Sequence, residues 1–131
     1  MKKIITQIVS GLMVLLVVPG CYKVATVKID NSPAVTKTVS LSKDIIPIFN
    51  KSCALSGCHA AGGHVPDLSA TGSYNALTKG NYIDKTTPPN SKLYLWLTGK
   101  EAIPMPMGAS NDPSNINALT LAWITQGAKN N

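Results

Sequence analysis

Apolar and polar positions divide the chain into three stretches. Residues 4–18 are apolar apart from Thr6, Gln7, Ser10 and Gly11. From Tyr22 to about Ser40, Val, Thr, Lys and Ala alternate around Asn31-Ser32-Pro33, and no helical period is present. From Leu41 onward, apolar residues recur at helical spacing in four short stretches. Residues 42–50 predict a first helix that runs into Cys53, with Asp44 as N-cap and Pro47 in the first turn, where a missing N–H costs little. Residues 74–79 predict a second helix, capped by Ser73 and stopped by Gly80. Residues 92–97 predict a third, capped by Asn90 or Ser91 and stopped by Gly99. The last has the clearest signals: Asp112 as cap, Pro113 at the first helical position, and Ile116, Leu119 and Trp123 on one face up to Gly127.

No stretch reads as a pair of strands, and neither an internal repeat nor a low-complexity tract is present. The expected architecture is therefore all-α, a small domain of about four short helices over residues 41–131. Residues 21–40 are expected to form a tether and residues 1–20 a signal peptide. Lys2 and Lys3 precede the apolar run as a positive n-region. That run is shorter than the roughly 20 residues that span a bilayer. Its close, Val18-Pro19-Gly20-Cys21, resembles the lipobox of bacterial lipoproteins. The resemblance implies lipidation of Cys21, an anchor of several acyl chains on one cysteine. It also implies an extracytoplasmic domain, facing the periplasm or at the outer membrane or cell surface. Ordinary secretion, with Cys21 left as a free thiol, is the plainer alternative.

Composition narrows the function. All twelve basic residues are Lys, against six acids, and the net charge is +6. Removal of Lys2 and Lys3 leaves ten lysines against six acids, a net +4. These lysines are scattered and form no run, which excludes a nucleic-acid footprint of Arg forks and clustered cations. Aromatic residues make up only 5% of the chain, so few large rings are available to fill a core. The three cysteines, Cys21, Cys53 and Cys58, are an odd number, which does not give the paired framework of a disulfide-rich domain.

The heptapeptide Cys53-Ala54-Leu55-Ser56-Gly57-Cys58-His59 carries the candidate chemistry. Covalent attachment of haem requires two thiols that reach its two vinyl groups. A histidine directly after the second thiol lies where its imidazole can take an axial position on the iron. The common spacing is C-x-x-C-H. Here four residues intervene, and Gly57 gives the longer loop conformational latitude. A sixth ligand is available in Ile103-Pro104-Met105-Pro106-Met107-Gly108, where prolines restrict the backbone on both sides of Met105. Met105 is the expected distal ligand, with Met107 and His64 as alternatives. His64 would give a bis-histidine iron of lower potential.

The motif resembles the C-x-x-x-x-C-H variant of c-type cytochromes. The methionine segment resembles the Met-Pro-Pro loop of monohaem cytochromes c, and Trp123-Ile124-Thr125-Gln126-Gly127-Ala128 resembles their terminal Trp-Ile-x-x-Gly-Ala helix. The likeness covers about residues 41–131. It implies a class I-like cytochrome c domain with one covalently attached haem c. In it Cys53 and Cys58 form thioethers, His59 is the proximal and Met105 the distal iron ligand, and Trp96 and Trp123 pack in the haem core. The porphyrin would then be the largest apolar body in the core. The function implied is a single-electron carrier rather than an enzyme, with redox proteins as partners, a membrane reached through the lipid anchor, and neither nucleic acid nor a small-molecule substrate. Three alternatives stay open: a haem-based sensor or enzyme for gas or peroxide, a disulfide between Cys53 and Cys58 in a haem-free lipoprotein, and a zinc site of Cys53, Cys58, His59 and His64.

Overall fold

The computed structural model describes residues 34–103, 105–107 and 115–131. The expected signal peptide, Cys21 and the tether up to residue 33 lie outside the described residues, as do Pro104, Gly108, Asp112 and Pro113; the last helix, expected to be capped by Asp112 with Pro113 as its first residue, begins instead at Ile116 with Asn115 as N-cap. Among the described residues the regular structure is all helical and contains no strand. A π-helical turn, Leu41–Ile45, runs directly into α1, Ile46–Ser52. Then follow α2 (Ser73–Lys79), a 3₁₀ turn (Pro88–Asn90), α3 (Lys92–Leu97) and α4 (Ile116–Thr125).

The first helix starts earlier than Asp44, and the reason is visible in its hydrogen bonds. The Ser40 hydroxyl accepts from the Lys43 N–H at 3.2 Å, and Asp44 reaches back to accept the Ser40 N–H at 2.8 Å. This is a capping box displaced by one residue, because the wider π turn carries an extra residue before the chain comes round. Asp44 therefore supports the cap rather than being it. Leu41, Ile45, Phe49 and Cys53 recur every fourth residue and all are buried. A spacing of four lies between the π and α periods, so one apolar stripe runs along the whole element and delivers Cys53 into the core as its last member.

That stripe packs with Leu68, Leu77, Leu93, Leu97, Ile116, Trp123 and Ile124 into one cluster. Full burial of a side chain the size of Phe49 stabilises by roughly 1.5–3 kcal/mol. Trp123 is buried, and its indole N–H donates to the Lys129 carbonyl at 2.8 Å, which folds the C-terminal segment back over α4. That segment then closes on the start of the first helix. The Asn131 carbonyl accepts from the Ser42 N–H at 2.9 Å, and its side-chain Oδ1 accepts from the Leu41 N–H at 3.0 Å. Two orphan donors of a helix N-terminus are satisfied in this way. The Gln126 amide accepts from the Val39 N–H and donates to the Lys37 carbonyl. Residues 37–40, at the end of the expected tether, are thus part of the fold.

Two further caps differ from expectation. Gly72, not Ser73, is the N-cap of α2, and Ser73 is the first helical residue with its hydroxyl buried. Gly72 is a tight fit there, because a Cβ at that position would collide with the Asp67 carboxylate. Ser91 does precede α3, but its hydroxyl makes no cap bond. It accepts instead from the Asp84 N–H at 2.9 Å, tying the 84–91 loop shut. The expected stops hold: Gly80 is the C-cap of α2, and Gly99 and Gly127 take left-handed backbone just beyond α3 and α4.

Candidate functional site

The candidate site begins where α1 ends. The Phe49 carbonyl accepts from both the Cys53 N–H (2.8 Å) and the Ala54 N–H (2.7 Å), so the helix stops with Cys53 held against the core. The next six residues close on themselves. The Cys58 N–H donates to the Leu55 carbonyl at 2.9 Å, with Gly57 between them in left-handed backbone (φ +78°) as the longer loop requires. The His59 N–H then returns to the Cys53 carbonyl at 3.0 Å. One backbone bond thereby brackets the two cysteines and seats the histidine beside the end of the helix.

The thiols occupy different environments. Cys53 is buried and Cys58 is exposed, and both are free thiols rather than a disulfide. Burial pushes the Cys53 thiol up to about 11, and the neighbouring Cys58 adds to the shift.

The His59 ring is half-buried, and its Nδ1 lies 3.0 Å from the Pro66 carbonyl oxygen and 3.2 Å from that of His64. Carbonyl oxygens only accept, so Nδ1–H is the donor, and in the neutral ring Nε2 keeps its lone pair. This is the arrangement found around metal-ligating histidines, in which the second ring nitrogen donates to a carbonyl that fixes ring and tautomer. Neither carbonyl has a side-chain signature, which is why sequence reasoning missed them. The loop that presents them is itself tied back, with the His64 N–H on the Cys58 carbonyl (2.7 Å) and the Leu68 N–H on the His59 carbonyl (2.8 Å). The His64 side chain is exposed, and it is the backbone of that residue that joins the site.

Met105 is half-buried, and its N–H donates to the Trp96 carbonyl at 3.1 Å, which hangs the methionine segment on the end of α3. Met107 is 72% exposed. Trp96 is half-buried, its ring 5.5 Å from that of Tyr82 and under the Lys92 ammonium. Four large apolar side chains stay exposed among the described residues: Leu55 and Val65 on the cysteine–histidine loop, and Ile103 and Met107 on the methionine segment. Three buried polar atoms, Ser73 Oγ, Asn117 Oδ1 and Thr120 Oγ1, have no partner among the described residues. No three His, Cys, Asp or Glu side chains gather to hold a metal ion among the described residues. Nor is any described helix long and apolar enough to cross a membrane.

Comparison with protein-family profiles, with curated proteins and with solved structures gives no match to this chain.

Proposed function

We propose that the chain is a monohaem c-type cytochrome, anchored outside the cytoplasm by a lipid on Cys21, that carries single electrons between redox proteins. The observation that carries this reading is the seating of His59. Its Nδ1–H is committed to backbone carbonyls, which leaves Nε2 as a preformed donor atom one residue after an exposed thiol and one closed loop after a buried one. Exposed apolar side chains on both the cysteine–histidine loop and the methionine segment are what a chain presents to a large flat apolar group.

In this reading Cys53 and Cys58 would hold the porphyrin by thioether bonds, and His59 Nε2 and the Met105 sulfur would be its iron ligands. A haem bound there supplies a one-electron iron couple. The chain's own contribution is to fix the ligands before electrons arrive. The carbonyls of Pro66 and His64 orient the His59 ring and fix its Nδ1–H. The Trp96 carbonyl holds the backbone of Met105. The scattered surface lysines favour acidic partners at the point of encounter.

The test is the intact mass of the full chain after expression with a cytochrome c maturation system, followed by a redox titration. One added haem that survives denaturation, and a one-electron titration curve, are expected; an unmodified chain mass contradicts the reading. Cys21→Ser is expected to release the domain from membranes, measured by sedimentation, and continued sedimentation with the membrane contradicts the anchor.

A further inference from the structure

We propose that Gly63 is a positioning residue for the His59 ring, acting through the backbone of His64. The proposal deepens the haem reading and rests on it for the electrochemical part of its test.

Gly63 is not left-handed, so its need for glycine comes from space. A Cβ on it would run into the Cys58 carbonyl oxygen and lie 3.0 Å from the Ala60 carbonyl oxygen. Both obstacles are backbone atoms, and no rotamer change relieves them. The same Cys58 oxygen accepts the His64 N–H at 2.7 Å, and the Ala60 oxygen accepts the Gly63 N–H at 2.8 Å. The missing methyl is therefore what lets the turn close on Cys58. Closure sets the next carbonyl, that of His64, 3.2 Å from His59 Nδ1 as a second acceptor beside Pro66. The chain of dependence runs from Gly63, through the bond between His64 and Cys58, to the histidine next to that same cysteine. A methyl at Gly63 forces the turn open and leaves Nδ1–H with Pro66 alone. The ring is then a weaker electron donor to a bound metal, and its Nδ1–H is more exposed to exchange.

The neighbouring Gly62 supplies the control. It is left-handed (φ +77°), but a Cβ there meets nothing within 4 Å. Asn tolerates that conformation, so Gly62→Asn changes the same turn without pressing on Cys58.

The experiment uses the full haem-loaded chain and compares Gly63→Ala with Gly62→Asn. Three quantities are read: covalent haem content, solvent exchange of the His59 Nδ1–H by NMR in the reduced state, and the midpoint potential. Expected for Gly63→Ala are unchanged haem content, exchange faster by about tenfold, as the loss of one hydrogen bond gives, and an upward shift in potential. Gly62→Asn is expected to leave exchange and potential as in the parent. Unchanged exchange and potential in Gly63→Ala overturn the proposal, as does an equal change in Gly62→Asn. Should Gly63→Ala not yield folded protein, the parent decides: protection of the His64 amide and the His59 Nδ1–H supports the proposal, and exchange at the rate of a free peptide overturns it. Absence of covalent haem in the parent is the failure of the haem reading alone. In that case the His59 tautomer, read by ¹⁵N shifts in the full chain, tests the seating: Nδ1–H supports it and Nε2–H overturns it.

Discussion

The two segments that would face each other across a haem are built differently. Residues 53–68 are closed by backbone bonds at nearly every turn: His59 to Cys53, Cys58 to Leu55, Gly63 to Ala60, His64 to Cys58 and Leu68 to His59. The segment around Met105 hangs, among the described residues, on the bond from its N–H to the Trp96 carbonyl. The histidine side is thus fixed by the fold of the chain itself, down to which ring nitrogen bears the proton. On the methionine side the described bonds fix the backbone of Met105 and leave the aim of its sulfur to packing. An electron carrier gains from such a division, because a ligand fixed in advance needs little rearrangement when the iron changes charge.

The largest expected effect attacks the shared foundation of the histidine side. Phe49 is fully buried, and its carbonyl receives both Cys53 and Ala54. Phe49→Ala is expected to cost about 3–5 kcal/mol in unfolding free energy, measured by guanidinium titration. A loss below about 1 kcal/mol would mean that the stripe of residues 41, 45, 49 and 53 does not anchor the site.

A smaller and more selective effect is expected on the other side. Met105→Ala should keep the covalent haem, abolish the sulfur-to-iron charge-transfer band, lower the potential and admit carbon monoxide rapidly. Met107→Ala should also keep the haem and should leave the band, the potential and the carbon monoxide rate as in the parent, in keeping with the exposure of Met107. If Met107→Ala removes the band instead, the methionine assignment is shifted by two residues. Rapid carbon monoxide binding by the parent protein would favour a gas- or peroxide-binding haem protein over a carrier.

The finest contrast lies within the histidine side, between its two thiols. In the haem-free chain Cys53 keeps its proton to about pH 11, against an ordinary value of 9.0. A raised folded-state value means that burial of this thiol stabilises fully below pH 9 and that the contribution is lost as pH rises through 11. Alkylation at pH 8 should therefore be about tenfold or more slower at Cys53 than at exposed Cys58, since the thiolate is the attacking species. Equal rates would show that Cys53 is not held in the core. Thioether formation removes the ionisable proton, so the stability loss between pH 9 and 11 should vanish in haem-loaded protein.

Much of this fold was legible because it is written in side chains of one period. The four helices, the glycine stops and the burial of Ile116 and Trp123 on α4 follow from apolar spacing and turn residues, whereas the burial of Asn117 and Thr120 on the same helix does not. The caps were read less well, since serine and aspartate have several backbone partners to choose from. Ser40 and Asp44 share one cap, Ser73 turns into the core, and Ser91 closes a loop instead of a helix. The candidate site was legible as residue types, two thiols, a histidine and a methionine. Its organisation was not, because the groups that orient His59 are two carbonyls and the absence of one methyl, which any residue sequence leaves nearly silent.

The most direct test of the central claim is a pyridine haemochrome spectrum of the full chain, matured with a cytochrome c system and extracted with acid and organic solvent. A c-type spectrum that survives extraction, and that disappears in Cys53→Ala combined with Cys58→Ala, is the predicted result. A colourless extracted protein, or haem still fixed to the chain without those cysteines, would contradict the account.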